Sequence, residues 1–565
     1  MVKPVEKRSL LLTLAFLSLV PAAAHLAYSW MGFSPTDDGF TLAYSRRLLE
    51  GQVPHQDFII IRPPLSPLIH TPFVLFGGEY MYWVSRLFVW FQFAVIAWAW
   101  VSAADHVLRR SPGGSFGAPA KVILGLAAFA ASSQHFVITA WHTIDGLFLA
   151  SIGAWLLLTR RGSGARSSGY LLVGAAYLVK QSFILMPPLF LLVLGDWRRP
   201  GCWVASAVPG LLYVAYLLVT GAFPEAFEQL TSQTSLLSAG VISYLNYAVI
   251  AGFVAGVASA LLLVEGRSLP LGRLGDTALP ETAAALALVG TPLVFVTGGM
   301  LIDSLSTIAF GVFGLGLGAA ATVVGVTLYR GNRHASKHGP ASRMVLLAVL
   351  LGWSASLSFG YNTPSLALGP MLVALVALAY PALAGTASAG TYRKLARGAL
   401  LGAALALVVS FAWSRTEYIY RQPPAAQLTE PAGEVLPGGR LIYTDDRTYE
   451  FLEEIGEGRR VAESRGKDYA VIPQAAGYWP QAGQANPLPI DWPWSVELGT
   501  PELNERVKED LEAERGETIV LAQKVDAFEL AFGPEPATDE MYGILRYVRE
   551  NWEKTGETEY FEIYE

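Results

Sequence analysis

Residues 9–40 read SLLLTLAFLSLVPAAAHLAYSWMGFSPTDDGF, an apolar run that ends in Ser34-Pro35-Thr36-Asp37-Asp38-Gly39-Phe40, where two carboxylates stand side by side. The run to residue 30 is long enough to cross about 30 Å of hydrocarbon as a helix. Before it lies a short basic leader with Lys3, Lys7 and Arg8. Positive charge is retained on the cytoplasmic side, so the Asp37-Asp38 stretch is expected on the outer face. Ala22-Ala23-Ala24 also suits a signal-peptidase site, and cleavage there would leave the acidic pair on that same side.

The rest of the chain extends this membrane reading. Of 565 residues 53% are hydrophobic and only 15% charged, with a mean hydropathy of +0.39, which is too apolar for a soluble protein of this length. Charge is split unevenly. Residues 414–565 hold 15 Lys and Arg against 31 Asp and Glu, and residues 1–413 hold 25 against 15, although the whole chain is only −6. This break sets a boundary between a transmembrane domain, 1–413, and an acidic C-terminal domain, 414–565. The single Cys202 permits no intrachain disulfide. No nucleic-acid partner is expected.

Residues 31–79 are Pro-rich and too polar to span, and form a first external loop. Apolar segments follow near 80–104, 121–140, 144–159, 169–180, 182–195, 201–220, 244–264, 280–298, 305–329, 343–359, 364–384 and 397–413, giving about thirteen spans in all by the length rule. The pieces 169–180 and 182–195 are short and read as a broken pair. Alternate connections carry Arg109, Arg110 and Lys121, then Arg160, Arg161 and Arg166, then Arg198 and Arg199, then Arg267 and Arg273, then Arg330, Arg333, Lys337 and Arg343, and finally Arg393, Lys394 and Arg397. The opposite connections, 141–143, 221–243, 299–304 and 360–363, carry no Lys or Arg. This asymmetry places the N-terminus inside and the C-terminal domain outside.

Beyond residue 413 the pattern becomes that of a soluble α/β unit. Strands are expected at 440–444, 518–522 and 560–564 and helices at 501–515 and 540–552. Tyr478, Trp479, Trp492 and Trp494 lie in Pro-rich stretches between them, placed either to fold as a lid over a sugar or to pack in the domain's own core.

Several polar residues break the apolar rule. Neighbouring carboxylates raise each other's proton affinity, so Asp37 or Asp38 suits a general base, as it equally suits a helix cap. Arg46, Arg47, Arg62 and Arg86 are cations on the face that otherwise avoids them, which points to an anion or to snorkelling. His70 follows the Arg62-Pro63-Pro64-Leu65 stretch. Asp145 is expected in the short external turn between the third and fourth spans, beside His142, where an ionisable group is costly and therefore a functional candidate. Lys180 stands at the turn of the broken pair, where freed backbone N–H groups would also face an anion. Asp303 is either a further member or a turn residue. No metal-ligand spacing is present, and no cofactor is expected.

A first external loop with paired acids, a basic residue before Pro-Pro-Leu, and an acid in the second external loop together resemble the GT-C superfamily of lipid-linked-sugar glycosyltransferases. The protein O-mannosyltransferases and the lipid A aminoarabinose transferases are the nearest in outline. The resemblance implies a helical membrane bundle with an external C-terminal α/β domain, a polyprenyl-phosphate-linked sugar as donor, and a glycan, glycolipid or protein as acceptor. It makes Asp37 or Asp38 the base, Asp145 the second-loop acid, and Arg62 and Lys180 contacts to the carrier phosphate. Apart from the resemblance, His70, His142, Tyr478 and Trp479 are candidate accessory residues of the same site. Here Asp-Asp replaces the Asp-Glu of the mannosyltransferases, and Arg replaces the Lys of the aminoarabinose transferases before Pro-Pro. The alternatives are a transporter or lipid flippase, with these groups binding substrate at mid-depth, and a scaffold whose tail holds cell-wall polymer.

Overall fold

The apolar stretches of the sequence lie on helices in the computed structural model, which describes all residues except 1–3, 110–113, 135–137, 234, 266–278, 331–336, 358–361 and 385–389. Arg110, Arg267, Arg273, Arg333 and part of the 360–363 connection therefore lie outside the described residues. Among those described, nine helices are long and apolar enough to cross a membrane. The expected thirteen include four that are shorter or less apolar: Ala118–Ser133, Ser163–Ala175, Met186–Leu194 and Gly339–Ser356.

The broken pair is as expected. Helix Ser163–Ala175 tightens into a 3-10 turn at Ala176–Leu178, Lys180 is extended (φ −158°, ψ 131°), and a second 3-10 turn leads into Met186–Leu194. Pro187 and Pro188 occupy the first turn of that last helix, where their missing N–H groups cost nothing but where no helix could continue through from upstream.

The closest helix pair is Tyr247–Glu265 against Leu305–Arg330, and it is built on glycine. A Cβ on Gly252 would lie 2.1 Å from the Gly311 carbonyl oxygen, and one on Gly256 2.2 Å from that of Leu315. Facing them, Gly314 and Gly318 would meet the Val249 and Phe253 carbonyls at 2.2 Å. Two small-xxx-small ridges thus let the backbones touch, the packing that substitutes for a hydrophobic driving force between helices in lipid.

The first loop forms two helices, α2 (Phe40–Leu49) and α3 (Leu65–Phe76), after the N-terminal helix α1 (Pro4–Tyr28) and before α4 (Met81–Leu108). It lies between the bundle and the C-terminal domain, tied to the latter by backbone hydrogen bonds: Gly32 N to Tyr443 O (2.8 Å), Ile59 N to Pro489 O (2.7 Å) and Gly477 N to Pro35 O (2.7 Å).

The last long helix, Gly390–Glu417, carries the bundle slightly past the compositional break. After it come a two-residue pairing of β1 (Glu430–Pro431) with β2 (Tyr443–Thr444) and a four-stranded sheet. In that sheet β3 (Asp468–Ile472), β4 (Thr518–Gln523), β5 (Lys554–Glu557) and β6 (Phe561–Tyr564) are ordered β3-β4-β6-β5, with only β3 and β4 parallel. Alternate β4 residues serve opposite cores. Ile519 and Leu521 pack with Phe451 and Ile455 of helix Asp446–Ser464, whereas Val520 and Ala522 pack with Leu503 and Val507 of helix Pro501–Ala513. Asp445 caps the first of these helices by accepting from Arg447 N and Thr448 N, and Thr500 caps the second by accepting from Leu503 N.

Candidate active site

The turn Ser34–Asp38 is shaped by its second carboxylate. Asp38 Oδ2 accepts from Ser34 N (2.8 Å), and Asp38 Oδ1 takes the Arg86 guanidinium (3.1 Å). Arg86 also donates to the carbonyls of Ser29 (2.8 Å), Met31 (3.2 Å) and Gly32 (2.7 Å), so one buried arginine from α4 holds the exit of α1 and the acidic turn together. Two glycines fix the other side: a Cβ on Gly39 would fall 2.3 Å from the Gly477 Cα, and Tyr82 donates to the Gly477 carbonyl. The expected anion partner of Arg86 is thus Asp38 itself.

Asp37 differs from its neighbour. Its Oδ2 faces the segment just past the last long helix, accepting from the Tyr420 hydroxyl (3.0 Å) and lying 3.2 Å from Arg421 Nη1. Burial pushes its pKa above the ordinary carboxylate value. Arg421 and Tyr420 pull back against this, and Asp38 and Glu497 add to it.

One residue after Gly39, the Phe40 ring is the centre of a crevice. Arg62 stacks over it with the guanidinium carbon 5.2 Å from the centroid, Trp492 meets it edge-on at 5.2 Å, and the His142 ring lies 6.4 Å away. Arg62 forms a two-pronged pair with Glu497 of the C-terminal domain (2.8 and 3.0 Å). Lys180 is buried nearby with its ammonium on Thr143 Oγ1 (3.0 Å), and no carboxylate lies within 4 Å of it among the described residues. His142, 2% exposed, lines the same crevice, and neither of its ring nitrogens has a hydrogen-bond partner among the described residues. Arg62 and His142 therefore line one crevice with Lys180 buried beside it on Thr143 and Glu497 paired to Arg62, while Asp37 lies against Tyr420 and Arg421 within electrostatic reach of Glu497.

Other expected members lie elsewhere. Asp145, in the first turn of the helix His142–Thr159 rather than in the loop before it, is fully occupied: Ser66 Oγ donates at 2.6 Å, Gln92 Nε2 at 2.6 Å, and His70 Nε2 lies at 3.1 Å. This hub ties α3, α4 and the His142 helix together and leaves His70 facing Asp145. Tyr478 and Trp479 are each 1% exposed in a core that the C-terminal domain shares with Phe33, Leu42 and Tyr82, with Trp479 stacked on Tyr469 at 5.2 Å, and neither lines the crevice. Trp492 and Trp494 stack on each other at 5.8 Å, and Trp492 does reach the crevice through Phe40. Asp303 is an exposed turn residue with φ +49°.

The remaining arginines of the first loop are partnered by the C-terminal domain. Arg47 pairs with Asp491 (2.8 and 2.9 Å), while Arg46 pairs with Glu50 and donates to the Trp479 and Ala482 carbonyls. Tyr420, Arg421 and Glu497 are site residues the sequence did not mark, since each acts on a group more than 380 positions away. Among the described residues no three His, Cys, Asp or Glu side chains converge as a metal site would require.

No protein-family model and no curated protein matches the sequence. Two solved structures follow a similar course over 98% of this chain and 97% of their own. One is ArnT from Cupriavidus metallidurans bound to undecaprenyl phosphate, 12% identical with a TM-score of 0.46, and the other is the same protein in the apo state, 13% identical with a TM-score of 0.45.

Proposed function

We propose that the protein is an integral membrane glycosyltransferase that moves a sugar from a polyprenyl-phosphate-linked donor to an acceptor hydroxyl at the outer face of the membrane. The observation that carries this reading is a surplus of buried positive charge: Arg62 has one carboxylate partner, Glu497, while Lys180 rests on Thr143 Oγ1 with no carboxylate within 4 Å among the described residues, so a phosphate would balance the pair. The donor's carrier phosphate would take that place, close to the apolar helices that would accept its lipid tail.

In the transfer, the acceptor oxygen forms a bond to the anomeric carbon as the bond from that carbon to the phosphate oxygen breaks. The electron pair leaves with the polyprenyl phosphate, whose charge Lys180 and Arg62 stabilise. The acceptor proton passes to Asp37, whose raised proton affinity suits a base working near neutral pH, and attack from the opposite face inverts the anomeric centre. Tyr420 and Arg421 aim the carboxylate. Asp38 and Asp145 hold the frame, and His142, with two free ring nitrogens in the crevice, is placed to meet sugar hydroxyls.

The test is turnover by purified full-length protein in nanodiscs with polyprenyl-phosphate-linked hexoses and pentoses, read as release of polyprenyl phosphate. Release by the wild type and its loss in Asp37→Asn is the expected result. No release from any donor, together with solute uptake or lipid translocation in proteoliposomes that survives Asp37→Asn, would instead establish a transporter or flippase.

A further inference from the structure

On the far side of the Gly477 segment lies a second, larger opening that takes no part in the chemistry above. It is a cleft of about 880 Å³, within the range of small-molecule sites, about 300–1,000 Å³. One wall is the Gly- and Pro-rich turn 433–443 and the other is the helix Asp446–Ser464, with Glu79 from the 3-10 turn before α4 and Tyr478 also in its lining. Tyr478 adjoins Gly477, whose N–H donates to Pro35 O two residues before Asp37, so a single stretch of backbone separates the cleft from the reacting turn.

The chemistry of the lining is specific. Three arginines, Arg440, Arg459 and Arg460, are balanced by three glutamates, Glu79, Glu434 and Glu453, and tyrosines stand among them. Arg440 pairs with Glu79 at 2.7 Å, Arg459 with Glu463 at 3.4 Å and Arg460 with Glu457 at 3.6 Å, and Tyr449 donates to Glu434 at 3.3 Å, so the lining presents exposed donors and acceptors whose own formal charges sum to zero. A lining of that kind repels neither sign and attracts neither. It suits an uncharged ligand dense in hydroxyls, each of which both donates and accepts, with aromatic faces for the apolar side of a pyranose.

We propose that this cleft seats the uncharged sugar chain of the acceptor, which makes the acceptor a glycan or glycolipid rather than a bare protein side chain. The inference rests on reading the protein as a glycosyltransferase. Gly456 provides a clean probe, because it lies on the helical wall, lines the cleft, and has open space where a Cβ would stand. Gly456→Trp therefore projects an indole into the cleft from a position whose Cβ meets nothing within 4 Å, and it improves helix propensity.

The experiment is saturation-transfer NMR on the full-length protein in detergent with neutral gluco-, manno- and galacto-configured hexasaccharides, alongside acceptor kinetics. We expect the wild type to bind at least one hexasaccharide and Gly456→Trp to lose that signal. Arg460→Ala is expected to raise acceptor KM by about tenfold with kcat little changed, the size of a lost pair of sugar hydrogen bonds. Release of polyprenyl phosphate to water should be the same in both variants. Absence of any neutral-hexasaccharide signal, binding only of anionic sugars, or full binding by Gly456→Trp would each overturn the proposal while leaving the transferase reading intact. Hexasaccharide binding lost in Gly456→Trp, with no donor turned over by the wild type, would sink the transferase reading and leave the cleft.

Discussion

Asp37 and Asp38 are adjacent in sequence and equally buried, yet their partners give them different work. Replacing Asp37 by Asn should reduce turnover by about 10²–10⁴, the usual contribution of a general base. Asp38→Ala leaves the Arg86 guanidinium buried without its counter-ion, and should instead lower stability by about 3–5 kcal/mol, seen as a large drop in Tm in detergent. The pH dependence has a definite sign. Because burial raises the Asp37 pKa, the folded protein binds a proton there that the unfolded chain has already released. Stability falls as pH rises through the interval between the two pKa values, while kcat/KM rises through the folded one. A pH–rate profile whose acidic limb sits above the ordinary carboxylate range, and is absent from the residual activity of Asp37→Asn, would verify this. The acidic pair could be singled out from sequence because neighbouring carboxylates directly after an apolar run suit either a general base or a helix cap. Which of them is the base was not, because the answer lies with Arg86, 48 residues on, and Tyr420, 383 residues on.

Helical segments show the same division between local and distant cause. The break at Lys180 could be read in advance because both flanking pieces are short, and the prolines that open the next helix are its physical cause. Helix Asp446–Ser464 was missed, although its apolar positions Phe451, Leu452, Ile455 and Ala462 keep helical spacing behind the Asp445 cap, since glutamates and arginines hide that stripe. Lys180→Met, which keeps the length of the side chain and removes its charge, should raise donor KM by about tenfold or more, as expected for the loss of one charge-assisted contact to a phosphate. Donor titration of the purified variant would measure it. In the glycine-built pair, Gly256→Leu and Gly318→Leu each drive a side chain into a facing carbonyl about 2.2 Å from the Cβ position. Both variants should lower Tm, while leucine at Gly325, where nothing lies within 4 Å, should leave it nearly unchanged.

Across the whole molecule, the C-terminal domain supplies an essential side of the site rather than an appendage to it. Glu497 reaches Arg62, Asp491 reaches Arg47, and the 475–479 segment seals the acidic turn. The sequence marked that domain by its charge, but read Arg47 as the holder of an anion or a snorkelling side chain, when its carboxylate partner Asp491 lies 444 residues downstream. Arg47→Ala strands Asp491, which is only 5% exposed, and should cost about 3–5 kcal/mol of docking. Faster limited proteolysis after residue 417, with the membrane helices unchanged, is the expected readout.

That long reach also sets an order of events during synthesis. At about 5–20 residues per second, the ribosome needs on the order of 20–90 s to travel from Arg47 to Asp491. For that interval the emerging loop carries guanidinium groups whose counter-ions have not been made, and a message truncated before codon 491 would leave Arg47 and Arg62 in that condition permanently.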